Sequence, residues 1–233
     1  IGFNVMDGVN ISANYVVGSL TDFIRGDEVE EDFSVGSASV EAGGLLNGHV
    51  DFYAEYGKFM WDEDEAFGVE VEDGEAIYSS LVGYLGDFTV TLEYKDYDYW
   101  DYRYGRPPSA DREDEATELD DIKGVRAKVE YFILDTDTLI YLSYGDYNNQ
   151  GHPDSLGNVN RNKITSYYFG IEQTWHDFYG HVTWGQKEYD DIDEDHKRGT
   201  ADLVYTFLDR HSLNLFYEYK FTGVTGSDKD EHK

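Results

Sequence analysis

The stretch Val125-Arg126-Ala127-Lys128-Val129-Glu130-Tyr131-Phe132-Ile133 places an apolar residue at every odd position and a charge at the first three even ones. A helix would scatter Val125, Ala127, Val129, Tyr131 and Ile133 around its circumference. A pleated strand sets them on one side, with Arg126, Lys128 and Glu130 on the other. The same period of two extends in both directions. Upstream, Phe88, Val90, Leu92 and Tyr94 alternate with Thr89, Thr91, Glu93 and Lys95. His49–Phe59 sets Val50, Phe52, Ala54 and Tyr56 against Asp51, Tyr53 and Glu55, and Val9, Ile11, Ala13, Tyr15 and Val17 share a face. Downstream, Leu213, Leu215, Tyr217, Tyr219 and Phe221 alternate with Ser212, Asn214, Glu218 and Lys220. Less regular segments at Ala76–Leu85, Leu139–Tyr147, Ile164–Trp175, Phe178–Lys187 and Gly199–Leu208 read as strands too, and Ile1–Val5 as the end of a further one.

The connections between these segments alternate in length. Short ones fall at Met6–Gly8, Gly43–Gly48, Gly86-Asp87, Asp135–Asp137, His176-Asp177 and Asp209-Arg210. Long ones fall at Thr21–Asp32, Met60–Glu75, Asp96–Lys123, Asp146–Lys163 and Glu188–Arg198. A soluble sandwich has no reason to keep its short turns at one end, whereas a membrane barrel threads up and down between tight turns and long outer loops. The three prolines, Pro107, Pro108 and Pro153, fall in long connections, where no ladder hydrogen bond is lost. The clear segments run to about ten residues, the length a tilted strand needs to cross hydrocarbon.

Composition narrows the alternatives. With 49 acidic and 18 basic residues the formal charge is −31, which repels nucleic acid and favours cations or basic partners. Disordered acidic chains are poor in aromatics, but this one has 21 Tyr and 13 Phe, so a fold is expected. The absence of cysteine excludes disulfides, thiolate metal sites and covalent c-type haem in this chain. No run approaches the roughly 18 apolar residues of a membrane helix. Alternation keeps the hydropathy of a barrel strand low, so that observation leaves a barrel open. Aromatics collect near both strand ends: Phe59, Trp61, Tyr94, Tyr97, Trp100, Tyr144, Tyr147 and Tyr189 toward the long connections, and Tyr84, Phe88, Phe132, Trp175, Phe178 and Phe207 toward the short ones. Rings with a polar tip suit the two interfaces of a bilayer.

The expectation is an all-β, up-and-down antiparallel transmembrane β-barrel of about 12 strands, or a segment of a larger barrel. Residues 1–222 would form the barrel with its acidic outer loops, and 223–233 an acidic tail or the start of another loop. The hairpin rhythm, aromatic-flanked strands and acidic loops resemble bacterial outer-membrane porins over essentially the whole chain. The resemblance is architectural and has no diagnostic motif. It implies an outer-membrane location, contact with lipid, and passage of small cations or polar solutes. A weaker resemblance is to the barrels of porin–cytochrome electron conduits. It implies a non-catalytic scaffold around a protein partner such as a multihaem cytochrome, with the haems on the partner. The chain itself is expected to need no cofactor. A soluble β-sandwich binding module, using stacked Tyr and Trp as its surface, is the third reading.

Polar residues expected to face the lumen are Asp51, Glu55, Glu93, Lys95, Arg126, Lys128, Glu130, Asp202, Glu218 and Lys220. They form either a charged pore lining or a salt-bridge network that fills the barrel. Val90, Leu92, Val129 and Leu215 are expected to face lipid. The acid runs Asp62–Glu65, Glu70–Glu75, Asp111–Glu118 and Asp190–Asp195 lack the ligand spacing of an EF-hand and read as solvated loops. No metal site is expected. Ser155 near His152 lacks a hydrolase signature, and His181, His196 and His211 lie among acids as any His here would, so no catalytic residue is assigned and no enzyme is expected.

Overall fold

The computed structural model describes residues 2–24, 27–61, 65–66, 69–70, 73–99, 122–149, 163–189, 194–207, 211–224 and 227–232. It is an all-β chain. The strands are β1 (Gly2–Met6), β2 (Val9–Ile24), β3 (Asp27–Gly44), β4 (Val50–Trp61), β5 (Glu65–Ala66), β6 (Val69–Glu70), β7 (Gly74–Leu85), β8 (Phe88–Asp98), β9 (Ile122–Ile133), β10 (Thr138–Asn149), β11 (Lys163–Trp175), β12 (Phe178–Tyr189), β13 (Glu194–Phe207), β14 (His211–Val224) and β15 (Ser227–His232). Thirteen form one up-and-down antiparallel sheet in chain order, with the β5–β6 ribbon standing apart between β4 and β7. Eleven of them answer to the segments read as strands, and a twelfth, β3, occupies the interval between the expected connections Thr21–Asp32 and Gly43–Gly48 and extends into both. The thirteenth, β15, pairs with β14 from Tyr219↔His232 to Val224↔Ser227, in the stretch expected to be tail or loop.

The short connections fall where the sequence places them, as far as they are described. Gly86 adopts φ 67° at the first position of the two-residue β7–β8 link, where hairpin turns of the primed types need a positive φ and glycine supplies it without steric cost. His176 takes φ 54° at the same position of the β11–β12 hairpin, closed by the pair Trp175↔Phe178. Asp209-Arg210 lies outside the described residues. So do Pro107, Pro108, Pro153, Ser155, His152, Trp100, the Asp111–Glu118 run and much of the other acid runs.

One long connection is not a loop. β2 and β3 pair without a break from Val9↔Ala42 to Ile24↔Asp27, so Thr21–Asp32 is mostly strand. Acidity there suggested a loop. Backbone pairing, however, needs only free N–H and C=O groups, and the segment contains no proline to remove one. β13 likewise starts at Glu194, inside the expected Glu188–Arg198 connection.

The chain divides into two compact units: Ile1–Leu81 with Glu93–Lys123 and Asn149–Asn160, and Val82–Leu92 with Gly124–Asn148 and Arg161–Lys233. Both have the same inverted pattern of burial. In the first, Glu93 and Lys95 are almost completely buried, with Lys95 only 1% exposed, while Ile11, Tyr15, Ile77 and Leu81 are exposed. In the second, Arg126 is 2% exposed and Lys187 and Glu218 are buried, while Leu142, Val182, Leu203 and Leu215 are exposed. Along β8 and β9 one face is covered and bears Thr91, Glu93, Lys95 and Arg126, while the other leaves Leu92, Val125 and Val129 exposed.

Candidate functional site

The covered polar face is the candidate site, and strand parity assigns its members. On β4 of the first unit, Asp51, Tyr53 and Glu55 share a face with Gly57 and Phe59. Register carries that face to Glu41, Ser39 and Ser37 of β3 and to Asn10, Ser12 and Asn14 of β2. Tyr53 donates its hydroxyl to Glu55 Oε2 at 2.7 Å, and Tyr78 donates to Glu93 Oε1 at 2.5 Å. Asp51 has a more local duty. Its Oδ1 accepts the Gly44 N–H at 2.7 Å, tying down the tight β3–β4 loop in which Leu46 and Asn47 adopt positive φ.

The second unit holds a network of its own. Arg126 donates its Nε–H to Ser143 Oγ at 2.8 Å. Lys128 Nζ lies 3.0 Å from Glu130 Oε1 and 5.0 Å from the centroid of the Tyr141 ring. Tyr141 Oη is 3.2 Å from His181 Nε2, which lies 3.6 Å from Glu172 Oε1. Tyr179 donates to Glu172 Oε2 at 3.3 Å. Glu218 Oε1 receives Arg198 through Nη2 at 2.8 Å and Nε at 2.9 Å, with Lys220 Nζ at 3.8 Å. Burying a charge is costly unless it is paired and hydrogen-bonded, and here carboxylates, bases and phenols supply one another's partners. Asp202 faces His181 across the β12–β13 ladder; its buried Oδ1 and the buried Ser166 Oγ have no hydrogen-bond partner among the described residues.

Every residue expected to face the lumen has the polar-face parity of its own strand, Asp51 with its turn-capping role. Asp51, Glu55, Lys128, Glu130, Asp202 and Lys220 are partly exposed, and the other four are buried. The expected lipid-facing residues lie opposite: Leu92 is 49% exposed and Leu215 58%, with Val129 also exposed and Val90 half-buried. The aromatic girdles need correction. Phe59, Trp61, Tyr84, Tyr97, Phe132, Tyr147 and Tyr189 have the parity of the polar face; there Phe33 stacks on Phe59 with ring centroids 5.5 Å apart, and Trp61 meets Phe59 edge-on at 5.1 Å. Position near a strand end says nothing about face; parity decides it. Phe216, opposite Asp202, also stands on the polar face.

Sequence reading left Glu172 and Lys187 unassigned in segments without clean alternation, weighed His181 only as a catalytic candidate, and put Arg198 in a long connection. It also missed a cross-strand device. Tyr141 lies directly opposite Gly170 and Tyr168 opposite Gly185, and in each pair the tyrosine ring lies over the glycine, occupying the space of its missing side chain. On the apolar face Gly199 stands between Trp184 and Tyr219, whose stacked rings are 6.3 Å apart. Interior strand glycines were the available signal, since a glycine there often marks a close approach.

Comparison of the sequence with protein-family models and with curated proteins found no match. The chain is therefore placed by its architecture: an antiparallel up-and-down β-sheet protein with a covered ionic face and an uncovered apolar one.

Proposed function

We propose that this chain is a bacterial outer-membrane β-barrel whose polar face lines an aqueous interior, whose apolar face meets lipid, and which forms a cation-preferring pore. The observation behind this reading is the inversion of burial, with Lys95, Arg126 and Glu218 covered while Leu92, Leu142 and Leu215 are bare. In water, apolar surface costs about 25 cal/mol per Å². Soluble monomers rarely leave apolar patches larger than a few hundred Å² uncovered. A soluble sandwich would bury the apolar rows and wet the polar ones. A bilayer rewards the opposite.

Cation preference follows from charge. The chain carries −31, and a low-dielectric wall focuses such a field at a pore mouth. In a planar bilayer under a salt gradient, the purified protein is expected to show a cation-selective reversal potential that weakens as salt rises, because exposed charges are screened over about 8 Å at physiological ionic strength. Replacing the partly exposed Glu55 and Glu130 by Gln should reduce the selectivity. Anion selectivity, or no conductance from folded protein, would contradict the proposal.

A further inference from the structure

On the polar face of the first unit the polar rows stop at one level of the register. From the short-turn end, Asn10, Ser12 and Asn14 of β2 pair with Glu41, Ser39 and Ser37 of β3, and these with Tyr53, Glu55 and Gly57 of β4. The next row is Val16, Val35 and Phe59, and the one after it Gly18, Phe33 and Trp61. The strands therefore turn from polar to apolar together, without changing face. One row further, Leu20 pairs with Glu31, and acidic sequence resumes.

The block is packed. Phe33 is 8% exposed and Phe59 1%, and the Phe33 ring lies over Gly18, in the space of its missing side chain. Phe33 also meets Trp61 edge-on, with ring centroids 6.4 Å apart. Only Val16, past the Gly2↔Ser12 pair of β1 and β2, is exposed in these two rows. Tyr97 and Ile122, at the long-connection ends of β8 and β9 in the same unit, are almost fully buried too. Aromatics favour any strand, so their presence alone decides nothing. Their confinement to adjacent rows of a face that is otherwise polar does. With this parity they cannot serve as a lipid-facing girdle.

We propose that this block is a hydrophobic seal in the pore, set between the ionic interior and the long connections. The inference rests on the pore reading above and adds its regulation. A hydrated cation can cross polar rows, where carboxylates and hydroxyls replace lost water. A phenyl ring replaces none, and moving a charge from water into apolar surroundings without a partner is costly. Hydrophobic constrictions close by losing their water, with no charged group needed to block the path. Glu55 lies on the same face of β4 as Phe59 but nearer the short turns. Selectivity and closure therefore fall on different rows and can be altered separately.

Leucine and asparagine are close in size and differ in polarity, so together they separate loss of water from simple lack of space. In the full chain in a planar bilayer, Phe59→Leu is expected to conduct much as the parent chain does, and Phe59→Asn several-fold more. The reversal potential under a salt gradient should stay the same in both, because the carboxylates are untouched. Trp61 is only partly buried and supplies a second pair, Trp61→Met and Trp61→Gln, should Phe59→Asn fail to fold by circular dichroism. Equal conductance of the apolar and polar variants at both positions, or less from the polar ones, would overturn the seal while leaving the pore reading intact. No conductance from the parent chain or from any folded variant would overturn the pore reading itself, and the seal with it.

Discussion

Replacing Leu215 with arginine is expected to destabilise the folded chain in lipid by about 2–4 kcal/mol, the cost of a cation on the lipid face of a barrel near the midplane. Leu215 is 58% exposed on the apolar face, between Leu213 and Tyr217 along β14. The neighbouring Asn214 has the opposite parity and stands opposite Val204. Arginine at Asn214 should therefore cost far less. Both variants can be compared by equilibrium refolding into lipid vesicles. In a soluble protein the order would change: arginine at a 58%-exposed position would cost little. Equal penalties at the two positions would contradict the two-faced sheet.

A second large effect is expected at Gly170. Valine there would place its side chain in the space occupied by the Tyr141 ring and push the ring off the wall, with an overpacking cost of about 1–3 kcal/mol. The displaced ring would also lose the 3.2 Å contact between Tyr141 Oη and His181 Nε2. Gly180 supplies the control, because a side chain added there would meet nothing within 4 Å. Gly180→Val should be neutral or slightly stabilising, since β-branched residues suit strands. Tyr141→Ala placed in the Gly170→Val background should recover part of the loss. Equal effects of valine at Gly170 and Gly180, measured by refolding, would show that the tyrosine–glycine pair is not a packed unit.

These two experiments divide along what the sequence could and could not reveal. Strand existence, the short turns and the polar or apolar identity of β4, β8, β9 and β14 were legible because a period of two is unambiguous when charges and aliphatics alternate. β10, β11 and β12 were harder. There Tyr, Gly, Ser and Thr occupy both faces, so parity could be fixed only by pairing with neighbours, and Glu172 and Lys187 went unassigned. The Thr21–Asp32 segment shows the opposite failure: its acidity was read as a loop, although strand extension depends on backbone pairing rather than side-chain polarity. The girdle residues Phe59 and Tyr147 failed for a third reason, since position along a strand was read without the face it implies.

The central claim is that the uncovered apolar face meets lipid while the covered polar face does not. The chain contains no cysteine, so single-cysteine variants can be labelled at one site each. A polarity-sensitive label at Leu92, Val129 and Leu215, and at their opposite-parity neighbours Thr91, Lys128 and Asn214, would be read in lipid vesicles with one quencher carried in the acyl region and another dissolved in water. The account predicts strong acyl-region quenching at Leu92, Val129 and Leu215, and little at Thr91, Lys128 and Asn214. Equal quenching on both faces, or stronger acyl-region quenching at Thr91, Lys128 and Asn214, would contradict it.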